Sequence, residues 1–318
     1  VPFHIKPFEA CYVEEASALL LKQYERERQC VRSLPSPNNL LLPKLVDHIK
    51  SISGNAGVGA FSNGRLIGFM LTGGFFSFKS QPAVIIPEFA HASIEENKSD
   101  IYQRLYMSIS AQWNTNQPTL HIFGHFAHDK ILQETLYLLG FGAILAERIR
   151  DLSPLENETN DSIELEMDPE KLVLLDQEHR AFYPASPTFI WKDTDPDTVL
   201  QDLRETCSAG TVFLVYRKEG IPAGYFSVGE SALGAEGFLL QNTNSAQIKS
   251  AFIKPDLRSR GIGACLLKES IAWATINGFE RLFVEHETAN YYGSRFWSKY
   301  FQEYLYFSMR YIDPIVLK

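Results

Sequence analysis

Arg258-Ser-Arg-Gly-Ile-Gly263 places two arginines and two glycines within six residues. An apolar, β-branched run precedes it from Ile248 to Ile253, and Pro255 stops that run. Beyond it, Ile262, Cys265, Leu266, Trp273 and Ile276 fall on one helical face, and Gly278 closes the pattern. The segment therefore reads as a strand, a Gly-containing turn and a helix N-terminus. Such a turn aims free backbone N–H groups and the positive end of a helix dipole at one spot. Arg258 and Arg260 add cationic charge there. The chemistry that wants this arrangement is pyrophosphate binding, with Gly261 and Gly263 keeping side chains out of the approach. A dinucleotide fingerprint needs a third glycine where Leu266 stands, and a P-loop needs a GK[ST] that the sequence lacks.

The string Ile253-Lys-Pro-Asp-Leu-Arg258-Ser-Arg-Gly261-Ile-Gly263 resembles, without a gap, the acyl-CoA signature Val/Ile-x-Pro-x-x-Arg-x-x-Gly-x-Gly of the GCN5-related N-acetyltransferases (GNAT). A second element, Leu282-Phe-Val-Glu-His-Glu-Thr-Ala-Asn290 followed by a helix with Phe296-Trp297, resembles that family's splayed strand and its following helix. The resemblance implies an acetyl-CoA-dependent N-acetyltransferase with acetyl-CoA as acyl donor. It implies that Arg258, Ser259, Arg260, Gly261, Ile262, Gly263 and Ala264 hold the pyrophosphate. It also implies that Phe252 and Ile253 offer backbone groups to the pantetheine arm, and that Asn290 contacts that arm as well as being suited to an N-cap. The acceptor amine then attacks the acyl carbonyl directly, a strand N–H polarises the carbonyl oxygen, and Cys265 is a packed helix residue.

The family often places a Tyr seven residues after the Asn, to protonate the departing thiolate. Trp297 stands there, and an indole does not serve that role. Tyr300, one turn on, is the candidate acid, with Tyr291 and Tyr292 also near. For the base that deprotonates an ammonium acceptor, the splayed strand offers Glu285, His286 and Glu287, and Glu285 is selected. Alternation sends Glu285 and Glu287 to one face and His286 to the other, without saying which face meets the cleft. The departure at Trp297 also leaves a non-catalytic acyl-CoA-binding or sensing module as the alternative.

The elements that must position these residues occur twice in the same order. The first half reads as a strand (4–7), helices (14–27 and 42–52) and a hairpin (58–62 and 66–72) turned by Asn63-Gly64. A strand (83–86), a helix (102–113), a strand (119–123), a helix (130–139) and a last strand come after it. The second half reads as a strand (162–166), helices from Asp168-Pro169-Glu170 and over 198–206, and a hairpin (212–216 and 223–229). After it come a strand (247–253), a helix (262–276), a strand (281–285), a helix (292–301) and a strand (304–312). Gly68 matches Gly224 and Asp129 matches Asn290. The expected fold is α+β, with two tandem GNAT-like domains: 1–155 degenerate and 162–318 acyl-CoA-binding, joined by the polar stretch 157–161. The first half has no Gly or Arg from Pro87 to Asn97, where a phosphate turn would fall, and its carboxylates there repel pyrophosphate. Its His121, His125 and His128 read as surface histidines rather than a metal site.

Composition agrees with two cores in 318 residues: 45% of the chain is apolar and 21% charged. The net charge of −8, with no Lys/Arg run, argues against nucleic acid and mildly favours a cationic acceptor, a small-molecule amine or a peptide amine. Four scattered cysteines point to free thiols. The apolar run at 18–21 is too short for a signal peptide or a membrane span, so the expected compartment is the cytoplasm, as monomer or homodimer.

Overall fold

Alternating apolar residues and two-residue turns build the sheets of this protein, which we describe from a computed structural model. The described residues are 2–37, 41–115, 117–156, 163–231, 237–241 and 243–317. The expected linker at 157–161 lies outside them. The elements are β1 (His4–Pro7), α1 (Val13–Cys30), α2 (Leu41–Ile52), β2 (Gly57–Ser62), β3 (Arg65–Leu71), β4 (Gly74–Phe78) and β5 (Gln81–Ile86). Next come β6 (His91–Ser93), α3 (Lys98–Ser110), β7 (Leu120–Phe126), α4 (Lys130–Leu138) and β8 (Gly142–Asp151). After these stand β9 (Ile163–Glu166), α5 (Val173–Phe182), α6 (Pro196–Ser208), β10 (Val212–Lys218) and β11 (Ile221–Glu230). The last are β12 (Ser245–Ile253), α7 (Ile262–Ile276), β13 (Arg281–Glu287), α8 (Tyr291–Tyr300) and β14 (Gln302–Tyr311). Short 3-10 turns at Pro169–Leu172 and Pro255–Leu257 precede α5 and the glycine turn.

Contacts divide the chain into two units: residues 1–147 with 237–239 and 303–318, and residues 148–236 with 240–302. In the first unit, β1, β2, β3 and β6 form one sheet, and β4, β5, β7 and β14 lie side by side in another. β5 runs parallel to β7, and β14 pairs antiparallel with β7 from Leu305 opposite Phe126 to Tyr311 opposite Leu120. The last strand of the sequence's second half thus completes the sheet of the first unit, burying Tyr304, Leu305 and Phe307. Gly237–Leu239 also belongs there, because Glu147 accepts the N–H of Gly237 and Glu88 accepts those of Phe238 and Leu239.

In the second unit the strand order is β9-β10-β11-β12-β13, with β12 and β13 parallel and the rest antiparallel. The β10–β11 turn is Glu219-Gly220, both with positive φ (53° and 80°), the handedness that a two-residue hairpin requires. α7 lays Leu266, Leu267, Ile271 and Ala274 on one sheet face, against Phe226, Val228, Ile248 and Leu282. α5 and α6 cover the other face, where Leu175, Val199 and Leu203 meet Phe213, Val215 and Phe252. Each such fully buried aliphatic side chain contributes about 1.5–3 kcal/mol. The sheet is therefore held between two helical layers, and β12 carries side chains into both.

Candidate acyl-CoA cleft

The parallel pairing of β12 with β13 runs only from Ser245 opposite Arg281 to Ile248 opposite Val284. Beyond that point the strands part. The register of β12 against β11 also skips Lys249, since Ser227 faces Ser250 and Val228 faces Ile248. A bulge of this kind bends the strand and re-aims the residues beyond it. The bulged Lys249 is tied down by its Nζ donating to Thr211 Oγ1 at 3.0 Å.

The backbone of β12 past the bulge has a definite polarity. Lys254 N–H donates to Ala223 C=O, and Ile253 faces Gly224. Antiparallel alternation then sends the N–H and C=O of Phe252 and Ser250 to β11, and those of Ala251 and Ile253 into the gap. This corrects one expectation: Phe252 is paired along its backbone and contributes its ring, while Ala251 joins Ile253 as the source of open backbone groups. The Ile253 carbonyl already accepts Arg258 Nε at 3.0 Å.

The turn at the mouth of the gap is donor-rich. Pro255–Leu257 winds one 3-10 turn, Ser259 and Gly261 take positive φ (62° and 83°), and α7 begins at Ile262. The N–H groups of residues 259–263 have no backbone acceptor among the described residues, whereas Ala264 and Cys265 donate back to Gly261 C=O. They sit at the positive end of α7, so the site fits an anion. The two glycines serve different ends. Gly261 holds the left-handed cap, and a Cβ there would meet nothing within 4 Å. At Gly263 a Cβ would lie 2.9 Å from the Phe296 ring, so this glycine lets α8 pack against α7. Arg258 is folded back into an aromatic setting, with its guanidinium 4.9 Å from the Phe182 ring centre and 5.2 Å from that of Tyr292. Arg260 is exposed.

The gap opens into a cleft of about 670 Å³ within the second unit. Phe252, Ile253, Arg258, Ser259, Gly261, Gly263, Ala264, Glu285, Asn290 and Tyr300 all line it; Arg260 and the buried Ile262 do not. Asn290 caps α8, its Oδ1 accepting Gly293 N–H at 3.0 Å. Trp297 is buried in the core against Phe226, and Tyr300 packs on Phe296 with centroids 5.1 Å apart. Val284 belongs to the α7-side core, so alternation puts His286 on that face and Glu285 and Glu287 on the α5 side. Glu287 indeed lies close enough to Tyr183, just past α5, to add to the upward shift that burial imposes on its phenol. His286 is committed on both nitrogens: Arg148 Nε donates to its Nε2 and its Nδ1 donates to Glu287 C=O, each at 3.0 Å.

The sequence pattern marked a helix from Asp168-Pro169-Glu170 but not as part of the site, yet α5 supplies His179 and Phe182 to the cleft wall, and Tyr183 just past its end joins them. His179 stacks on Phe252 at 5.0 Å, and its Nδ1 lies 2.9 Å from the Tyr225 hydroxyl, which in turn meets Asp176 and Ser250. The one legible signal was the Asp176/Arg180 spacing, which forms an ion pair at 2.7 Å.

The first unit repeats the plan with a different outcome. β5 and β7 are parallel from Ala83 opposite Leu120 to Ile86 opposite Phe123, and Gly68 faces Ser93 much as Gly224 faces Ile253. Asp129 caps α4 through Leu132 N–H, as Asn290 caps α8. Past Phe123, however, the buried His91 side chain donates from Nε2 to Gly124 C=O at 2.8 Å, so a strand carbonyl there is already satisfied from within. Two of the three histidines depart from their surface reading, while His128 is exposed. His121 and His125 are buried, bonded to the Tyr106 hydroxyl (2.7 Å) and the Ser308 hydroxyl (3.0 Å), and His128 pairs with the buried Glu27. Burial holds His121 and His125 down to about 4. No cluster of metal-ligating side chains occurs among the described residues, the four cysteines are free, and no helix is long and apolar enough to cross a membrane.

Residues 173–301 match the acetyltransferase (GNAT) family. No curated protein matches the chain. Among solved structures, a GCN5-related N-acetyltransferase from Sphaerobacter thermophilus shares the fold at 12% identity and a TM-score of 0.57, covering 97% of this chain and 95% of that one. A tandem GNAT protein from the clavulanic acid biosynthesis pathway does so at 12% identity and a TM-score of 0.51, covering 98% of each chain. Residues 173–301 thus carry the match to the acetyltransferase (GNAT) family, and the chain as a whole shares its fold with GNAT proteins, one of them a tandem GNAT protein.

Proposed function

We propose that the chain is an acetyl-CoA-dependent N-acetyltransferase whose second unit (148–236 with 240–302) holds the acyl donor, while the first unit (1–147 with 237–239 and 303–318) does not. The observation that carries the reading is the parted β12–β13 pair beside a glycine turn with unpaired N–H groups at 259–263. The turn suits the pyrophosphate, and the open backbone groups of Ala251 and Ile253 suit the amides of an extended pantetheine arm, added like a strand. An N–H from this pair polarises the thioester carbonyl, in the manner of an oxyanion hole. The acceptor is an amine on a small molecule or a peptide, approaching from the α5 side, where Glu285 and Glu287 face the cleft. Tyr300 is the acid candidate for the leaving thiolate, and Glu285 the sequence-derived base candidate. Trp297 in the core favours one other reading, a non-catalytic acyl-CoA-binding module.

Calorimetry with acetyl-CoA on wild type and on Gly261→Glu, then release of CoA thiol against a panel of amines, tests the reading. The new carboxylate enters open space beside the free N–H groups, so binding is expected to fall at least 100-fold. Equal binding by both proteins rejects the phosphate site. Binding without turnover on any amine favours the sensing module.

A further inference from the structure

Two nitrogen-bearing candidates on the cleft wall differ in how they are held. His286 has both ring nitrogens engaged. His179 has one engaged and one open. Its Nδ1 lies 2.9 Å from the Tyr225 hydroxyl, while Nε2, across the ring, has no hydrogen-bond partner among the described residues. His179 is about nine-tenths buried and lines the cleft, with its ring flat on Phe252 of β12.

The proton positions in this network are set by valence. Asp176 is ionised: burial alone would raise its pKa, but the nearby His179, its Nδ1 3.7 Å from Oδ1, and the hydrogen bonds from Tyr225 and Arg180 bring it down to about 2. A carboxylate only accepts, so the single proton of Tyr225 goes to Asp176 Oδ1. The phenol oxygen is then an acceptor. It takes the proton of His179 Nδ1 and that of Ser250 Oγ, 3.0 Å away. A neutral imidazole with its proton on Nδ1 carries its lone pair on Nε2. The charged and titratable neighbours are Asp176 and Arg180 on the same helix, Glu178 paired with Lys254 at 2.7 Å, the Tyr183 phenol, Glu285 and Glu287 of β13 on the same side of the cleft, and Arg258 over the Phe252 ring. None bonds to Nε2. Ser250, which touches this network, immediately precedes Ala251, whose N–H points into the gap.

We propose that His179 is the general base of the acyl transfer, acting through Nε2, with Tyr225 and Asp176 as positioning residues that fix its tautomer. This rests on the acyl-transfer reading above. An ammonium acceptor gives one proton to Nε2 and becomes a free amine. Its nitrogen forms the new C–N bond at the acyl carbon, the C–S bond breaks, and its electron pair leaves on sulfur. The second nitrogen proton ends on the thiolate, and the imidazolium returns its proton to solvent. The products are the amide, CoA thiol and one released proton.

The test has two arms on the full chain. In the first, ¹⁵N–¹H imidazole spectra of wild type and Tyr225→Phe report the tautomer without any substrate. The Nδ1–H form is expected in wild type, with the preference lost in Tyr225→Phe. An Nε2–H form in wild type overturns the proposal. In the second, kcat/KM against pH is measured for wild type, His179→Gln and Glu285→Gln, with acetyl-CoA affinity as the folding control. His179→Gln is expected to bind acetyl-CoA normally, to lose at least 100-fold in kcat/KM and its acidic-limb inflection, and to recover partly with added imidazole. Wild-type-like turnover by His179→Gln, or an inflection lost only in Glu285→Gln, overturns the base assignment while leaving the transferase reading intact. Absence of wild-type turnover on every amine strikes the transferase reading instead, and the tautomer spectra still decide how His179 is held.

Discussion

Gly263→Ala probes why the second motif glycine is a glycine. A Cβ built there lies 2.9 and 3.2 Å from two Phe296 ring atoms and 3.4 Å from Ile253 Cδ1. The first of these is closer than real Cβ atoms come, so α8 or the ring must shift. Phe296 packs on Trp297 at 4.8 Å, Tyr300 at 5.1 Å and Phe226 at 6.1 Å between centroids, so it yields only by giving up these contacts toward the cleft it lines. Overpacking of this kind costs about 1–3 kcal/mol. Phe296→Leu alone costs about 1 kcal/mol through lost contact, yet it opens the space that the new methyl needs. In urea melts the double variant is therefore expected to be more stable than Gly263→Ala alone, with a coupling of at least about 1 kcal/mol in the cycle. Gly261→Ala is the comparison. Its φ of 83° costs about 1 kcal/mol through backbone strain, its Cβ meets nothing, and it should add to Phe296→Leu without coupling. Additivity at Gly263, or coupling at Gly261, would refute this division of labour between the two glycines.

The same geometry dictates other outcomes. Burial holds His91 near 3 and His121 and His125 near 4 in the folded chain, so the unfolded chain takes up protons that the folded one refuses as pH falls below about 6.5. Stability is then full above that pH and is lost toward pH 4. Glu88, raised to about 6 by burial, works the other way and offsets part of it, leaving the first unit about 3 kcal/mol weaker at pH 5.5 than at 7.5. Urea midpoints at the two pH values measure this, and a flat response contradicts it. Asn290→Ala removes the α8 cap and is expected to cost about 1 kcal/mol in a thermal melt. A fall in acetyl-CoA affinity beyond that cost would add a direct contact to the capping role. Tyr300→Phe is expected to lower kcat less than tenfold, because a thiolate leaves without an obligatory acid; a 1,000-fold loss would make the phenol essential.

The local signals were strong where one stretch of chain decides its own structure. Asn63-Gly64 and the Asp168 and Asn290 caps occur where short-range hydrogen bonding and φ preferences demand them. Helix α7 was legible to its bounds, since its glycine start and Gly278 lie within one segment, but its buried face runs through Leu266, Leu267, Ile271 and Ala274, and Ile276 of the expected face is exposed. The glycine turn proposed to hold the phosphates was legible as a strand–turn–helix for the same reason: donors, glycines and helix N-terminus are contiguous in sequence.

What the sequence could not settle depends on partners far along the chain. β14 is an apolar strand that either half could accept, and pairing with β7 places it in the first unit. Alternation placed Glu285 and Glu287 together, but only the burial of Val284 against α7 says which side of the sheet they face. The purpose of Gly263 lies on α8, at Phe296. His121 and His125 looked like surface residues because their partners, Tyr106 and Ser308, stand 15 and 183 residues away. His179 carried no motif at all. Its tautomer is set by Tyr225, 46 residues downstream, and its place on the cleft by Phe252. Backbone preferences and spacing write themselves into a short window of sequence, whereas proton positions and cleft walls exist only once distant strands and helices have been packed together.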